Sequence, residues 1–205
     1  LHHAAHHPEP AVISRRILIP LLVTVTSCTS AQREGTSPAY LIIDALEAAS
    51  GAAPSTFGGT LASDVVTVVT RQVDGTDVRQ PTVFEDIARV ELSLALRDPG
   101  GGATATQPTS ANVITVTRYH VRFIRADGRN APGIDVPYAF DGAFTISVGG
   151  ERRPATLVLV RAQAKREAPL SALGGGGGAG VISTIAEVTF YGTDQAGRAV
   201  KVLGR

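Results

Sequence analysis

Few side chains in this sequence have a type and spacing that could do chemistry. His120 is the only histidine after Cys28, and it alternates with Arg118 and Arg122. Such a row could hold an acidic partner, or the imidazole could act as a general base. A serine hydrolase would also need an exposed serine and an orienting acid beside the imidazole. No Gly-x-Ser-x-Gly elbow occurs to supply the serine. Asp127, Asp135, Asp141 and Asp194 could bind calcium through their oxygens if they converged. They are scattered without EF-hand spacing, and as turn residues they already have a structural reason to be there. His2, His3, His6 and His7 are paired as metal ligands can be, but Pro8 and Pro10 argue against a folded site. Metal catalysis would need more His or Cys ligands than the chain offers after Cys28. Gly174 to Gly178 lack the Gly-Lys-Ser/Thr ending and following helix of a phosphate loop, and read as a plain loop. The expectation is therefore no catalytic residue, no metal and no cofactor, with Arg118, His120 and Arg122 as the candidate binding residues.

The remaining reactive group is the thiol of Cys28, the only cysteine. A lone cysteine can pack as a small hydrophobe, but this one ends a patterned run. Arg15 and Arg16 come first, then the apolar stretch Ile17 to Val25 interrupted by Pro20, then Thr26, Ser27 and Cys28. A positive region, an apolar region and small residues in that order form a secretion signal. The apolar run falls short of the about 20 residues a membrane-spanning helix needs. The ending Val25-Thr26-Ser27-Cys28 resembles the bacterial lipobox: an aliphatic residue, a small or β-branched residue, a small residue, then cysteine. That resemblance implies that the Cys28 thiol carries a diacylglycerol and that the chain is cut just before it, leaving Cys28 as the mature N-terminus. Thr29 is not the aspartate that retains members of that family at the inner membrane of two-membrane cells, so for a host with two membranes the resemblance implies the outer one, facing the periplasm or the exterior. The composition contains no methionine, so Leu1 is not an ordinary start, and a start at Val12 would place Arg15 and Arg16 near the front of the signal.

The 178 residues from Cys28 to Arg205 suit one domain with a real core. Setting aside Arg15, Arg16 and Glu9 leaves 17 basic and 17 acidic residues, a formal net charge of zero. Nucleic-acid binders usually carry a basic excess, because phosphate contacts drive their affinity, so that partner class is disfavoured. With one cysteine there is no internal disulfide, and packing alone must hold the fold in an oxidising compartment.

The positioning elements read as strands. Residues 28–38 are polar and aperiodic, a tether after the signal of residues 1–27. Tyr40 to Glu47 suits a strand or a short helix. Val65 to Thr70 is a β-branched run closed by the turn Asp74-Gly75. In Ala88 to Arg97, Val90, Leu92, Leu94 and Leu96 share one face, the period of a half-buried strand. Between Asn112 and Asp127 the apolar phase slips near Thr117, which a one-residue bulge would repair. Phe144 to Val148 alternates again. Thr156 to Val160 is apolar on both faces and is expected at the centre of a sheet. Ala162 to Leu173 has room for one helical turn limited by Pro169. Val181 to Arg205 reads as a hairpin, with Val188 and Phe190 inward, Glu187 and Tyr191 outward, and Asp194 to Gly197 as a type I turn.

Seven or eight short strands separated by turns predict an all-β, antiparallel sandwich over residues 39–205. The stretch Thr189 to Val200 resembles the closing hairpin of bacterial immunoglobulin-like domains, which implies an immunoglobulin-like sandwich, although the paired cysteines and core tryptophan of true immunoglobulin domains are absent. Together these readings predict a non-enzymatic, lipid-anchored envelope protein that binds another envelope protein or a glycan, or serves as a structural module. The alternatives are a lipid-anchored hydrolase using His120 and a calcium-dependent adhesin.

Overall fold

The computed structural model describes residues 36–100, 107–174 and 180–205, and they form antiparallel β-structure. The strands are β1 (Ala39–Ala49), β2 (Thr67–Val73), β3 (Thr76–Thr82), β4 (Asp86–Leu96), β5 (Ile114–Ile124), β6 (Phe140–Val148), β7 (Arg153–Val160), β8 (Ile185–Asp194) and β9 (Ala199–Gly204). One sheet has the order β1-β4-β7 and another β6-β5-β8-β9, while among the described residues β2 and β3 pair only with each other. Both larger sheets feed one hydrophobic core, with Val90, Leu92 and Leu157 from the first and Ile114, Val121, Val148, Val188 and Phe190 from the second. A single helical turn, α1 (Ala162–Arg166), follows β7, as Pro169 allows. Cys28 and the paired histidines lie outside the described residues.

Alternation explains most of these strands. In β4 the even positions Ala88, Val90, Leu92 and Leu94 are buried. The register of β5 against both its neighbours shifts between Val116 and Arg118. The extra residue there lets Ile114 and Val116 face the core together with Tyr119, Val121 and Phe123. Residues 40–47 are a strand, not a helix, because β1 pairs with β4 along its whole length, with an irregularity between Ile43 and Ala45. The last hairpin closes as its sequence suggests. Gly197 donates its N–H to the Asp194 carbonyl (3.0 Å), and the Asp194 carboxylate accepts from the N–H groups of Ala196 and Arg198, both at 2.9 Å. Gly197 has φ 79°, a left-handed conformation that glycine adopts without steric cost.

Three expectations change. Segment 156–160 belongs to β7 at a sheet edge, not at its centre. The other sheet covers that edge: the Tyr119 hydroxyl accepts the Val158 N–H (3.2 Å). Tyr119 reaches it by lying across Gly142, its cross-strand neighbour, where any β-carbon would collide with the ring. Burial in this position pushes the Tyr119 hydroxyl pKa up. Second, the strand count rises because β3 forms from a polar, proline-containing segment, paired across a tight turn in which Asp74 and Gly75 have φ 51° and 76°. This β2–β3 ribbon leaves Val68 54% and Val78 43% exposed. Third, the end of the expected tether is packed: Ser37 is buried, its carbonyl accepts from Arg97 Nε (2.8 Å), and the Pro38 carbonyl accepts the Arg97 N–H (2.9 Å).

Candidate functional site

The pleat of β5 turns Tyr119, Val121 and Phe123 into the core and leaves Arg118, His120 and Arg122 on the opposite face. All three expected binding residues therefore share one face, but each has a carboxylate beside it. Arg118 Nη1 donates to Asp141 Oδ1 (2.9 Å), and its guanidinium lies over the Tyr191 ring at 4.1 Å. His120 Nδ1 is 3.3 Å from the same Asp141 oxygen, because His120 and Asp141 are register partners on β5 and β6. Arg122 donates through Nε (3.1 Å) and Nη2 to Glu187 Oε2, across the β5–β8 register. Arg205 Nε donates to Glu187 Oε1 (2.7 Å). The face alternates in charge and is not purely cationic.

Glu187 faces outward as its parity predicts, yet only 3% of it is exposed. It does sit on the outer face of its sheet, and the side chains of Arg122 and Arg205 cover it there. The Arg122 hydrogen bonds hold its carboxyl pKa below the usual range, Arg205 adds to this, and burial opposes it. A carboxyl depressed on folding contributes stability above its unfolded pKa of about 4.3, and that contribution is lost as pH falls through the folded value. The stability difference between the native chain and Glu187→Gln should therefore be widest near neutral pH and close in acid below about pH 4. Thermal unfolding of both proteins across that range checks it; a gap that widens in acid would contradict the pairing.

The loop aspartates do not converge. Asp127 is clasped by Arg125 and Arg129, and the Arg125 hydrogen bond holds its carboxyl well below the carboxylate range. Asp135 accepts the Ala131 N–H (3.2 Å), Asp141 serves Arg118 and His120, and Asp194 closes its turn. Among the described residues no group of three His, Cys, Asp or Glu side chains is placed to hold a metal. Gly174, the one described member of the five-glycine run, ends a 3-10 turn over Leu170–Leu173.

A second constellation was not anticipated. Asp86, at the start of β4, is fully buried, and Lys165 of α1 is 3% exposed. Asp86 Oδ1 accepts from Lys165 Nζ (2.8 Å), Ser63 Oγ (2.9 Å) and the Gly51 N–H (2.9 Å). Lys165 Nζ also donates to Ser63 Oγ (2.8 Å) and the Asp64 carbonyl (3.2 Å). Asp86 Oδ2 is buried and has no hydrogen-bond partner among the described residues. This cluster lines an open cavity of about 1040 Å³ where the space between the two larger sheets reaches the surface. Leu46, Leu61, Phe123, Leu159, Leu170 and Val188 supply apolar wall. His120 lines neither of the two described cavities. One signal for Asp86 was present in the sequence: it shares the parity of Ala88, Val90 and Leu92, so it must point inward. Nothing local announced Lys165, 79 residues away.

Comparison of the chain with protein-family models, curated proteins and solved structures gave no match.

Proposed function

We propose that the protein is a bacterial envelope lipoprotein, held to the outer membrane by a lipid on Cys28 and facing the periplasm or the exterior. Its residues 39–205 form an immunoglobulin-like sandwich that acts as a non-enzymatic binding or structural module, with an envelope protein or a glycan as partner. Two antiparallel sheets over a shared core support the sandwich. The lipobox resemblance at Val25-Thr26-Ser27-Cys28 supports the anchor.

The observation that favours binding over catalysis is the face of β5. Arg118, His120 and Arg122 lie along one strand, bonded to Asp141 and Glu187 across the neighbouring strands. Paired guanidiniums and carboxylates give such a face directional polar contacts for a partner that carries both donors and acceptors. A hydrolase would need the imidazole in a cleft beside a nucleophile. Asp127, Asp135 and Asp194 are already engaged in local bonds, which weighs against the calcium-dependent adhesin.

The test compares His120→Ala with the double variant Arg118→Glu/Arg122→Glu. In capture from solubilised envelopes, His120→Ala should retain the partner and the charge-reversed protein should lose it by about tenfold or more. A hydrolytic activity that falls about a thousandfold in His120→Ala, the effect of removing a general base, with folding unchanged, would overturn this reading.

A further inference from the structure

The β2–β3 ribbon leaves both of its edges open. Its strands pair with each other along their whole length, and among the described residues with nothing else. Every residue from Thr70 to Pro81 is exposed, Val73 and Val78 included. An isolated two-stranded ribbon is marginal in water, and its unpaired backbone groups are a template for another strand. The turn decides which groups those are. The two-residue loop Asp74-Gly75 makes Val73 and Thr76 a hydrogen-bonded pair. Bonded and non-bonded pairs then alternate along the ribbon. Asp77 and Arg79 therefore turn their N–H and C=O groups to the outer edge of β3, and Val68, Thr70 and Gln72 turn theirs to the outer edge of β2.

The side chains distinguish the two edges. β2 contains Arg71 and no acid, so two copies of β2 laid side by side bring only like charge together. β3 is self-complementary: Asp77 and Arg79 stand at equal distance on either side of Val78. When a second β3 lies antiparallel with Val78 facing Val78, each Asp77 stands opposite the Arg79 of the other copy. The backbone agrees, since those same residues hold the outward N–H and C=O groups. Pro81, which has no N–H to give, falls opposite Gly75 of the turn, outside the ladder. Asp77 accepts from Gln72 Nε2 (2.5 Å) within the ribbon, and Arg79 has no ion-pair partner among the described residues.

We propose that the protein binds a second copy of itself as a two-fold dimer through β3, the two ribbons forming one antiparallel sheet in the order β2-β3-β3-β2. The interface is isologous, each copy giving the same edge. It is separate from the β5 face and does not depend on the partner proposed there.

Sedimentation equilibrium of the full chain carrying Cys28→Ala, so that no lipid draws copies together, should show a monomer–dimer equilibrium between about 1 and about 100 μM. Asp77→Arg and Arg79→Asp each replace both ion pairs between copies by like charges, and each should weaken the dimer about tenfold or more. Both positions are exposed, so both variants should fold. Mixed in equal amounts, the two single variants should form a heterodimer with the native affinity, because each acid again meets a base. Val78→Cys in the same chain should close a disulfide between copies under mild oxidation. Facing residues of a non-hydrogen-bonded pair lie about 4.5 Å apart at Cα, within disulfide reach. Thr70→Cys, on the β2 edge, should not cross-link. A monomer at about 100 μM, a dimer indifferent to both charge variants, no heterodimer on mixing, or a cross-link at position 70 and not at position 78 would each overturn the proposal.

Discussion

Lys165→Met should lower the unfolding free energy by about 3–5 kcal/mol, the usual cost of removing one partner from a buried ion pair. Methionine keeps the length and apolar stem of lysine, so the loss isolates the charge. Asp86 would retain the Ser63 hydroxyl and the Gly51 N–H but lose its counter-ion in a place where its side chain has no exposed surface. A carboxylate without a counter-ion there carries an uncompensated desolvation cost, which favours the unfolded chain. The effect should spread, because Lys165 also ties Ser63 and Asp64 to α1 across a separation of about a hundred residues. Adding Asp86→Leu should recover much of the loss, since a buried pair replaced as a whole by apolar side chains is often neutral. Urea unfolding of the single and double variants measures both. A single-variant loss below about 1 kcal/mol, the level of an exposed pair, would show that the pair is not desolvated in solution.

Cys28→Ala should move the protein from the membrane fraction to the soluble fraction, or leave it uncut with Arg15 and Arg16 still attached. One acyl chain gives only marginal membrane binding, whereas two or more hold firmly, so the change should be close to all-or-none. Separation of inner and outer membranes, with mass spectrometry of the N-terminal peptide, reads the location and the modification together. The native protein should carry lipid on Cys28 and sediment with the outer membrane. An unmodified Cys28 thiol in a chain that still contains Arg15 and Arg16 would defeat the anchor and the location with it.

Much of the β-architecture was legible because it rests on parity. Val90, Leu92 and Leu94 had to share a face, and the slip at Thr117 had to be absorbed by an extra residue; both hold in the pairing. What parity cannot convey is which strand lies beside which. The doubly apolar 156–160 segment suggested a central strand, yet it lies at a sheet edge, where Tyr119 of the other sheet accepts the Val158 N–H. The hairpin partner β3 escaped notice because exposed strands carry no hydrophobic alternation, and only Asp74-Gly75 marked its turn. The site residues divide in the same way. Arg118, His120 and Arg122 were placed together by their two-residue spacing, whereas Asp141, Glu187 and Arg205 join them only through register. Asp86 and Lys165 meet through the turn after β7, a tertiary fact with no local signal.

The direction of β1 has a further consequence. Thr36 and Ser37 sit beside the start of β9, around Ala199 to Lys201, while Leu46, Ala48 and Ser50, at the other end of β1, line the large cavity. Nine residues of strand separate Ala39 from Ala48, roughly 30 Å at about 3.3 Å per residue. If the proposed lipid on Cys28 is the anchor, the chain enters the domain at the end of β1 far from the opening, so a solute from the surrounding fluid reaches the cavity without passing the attachment point.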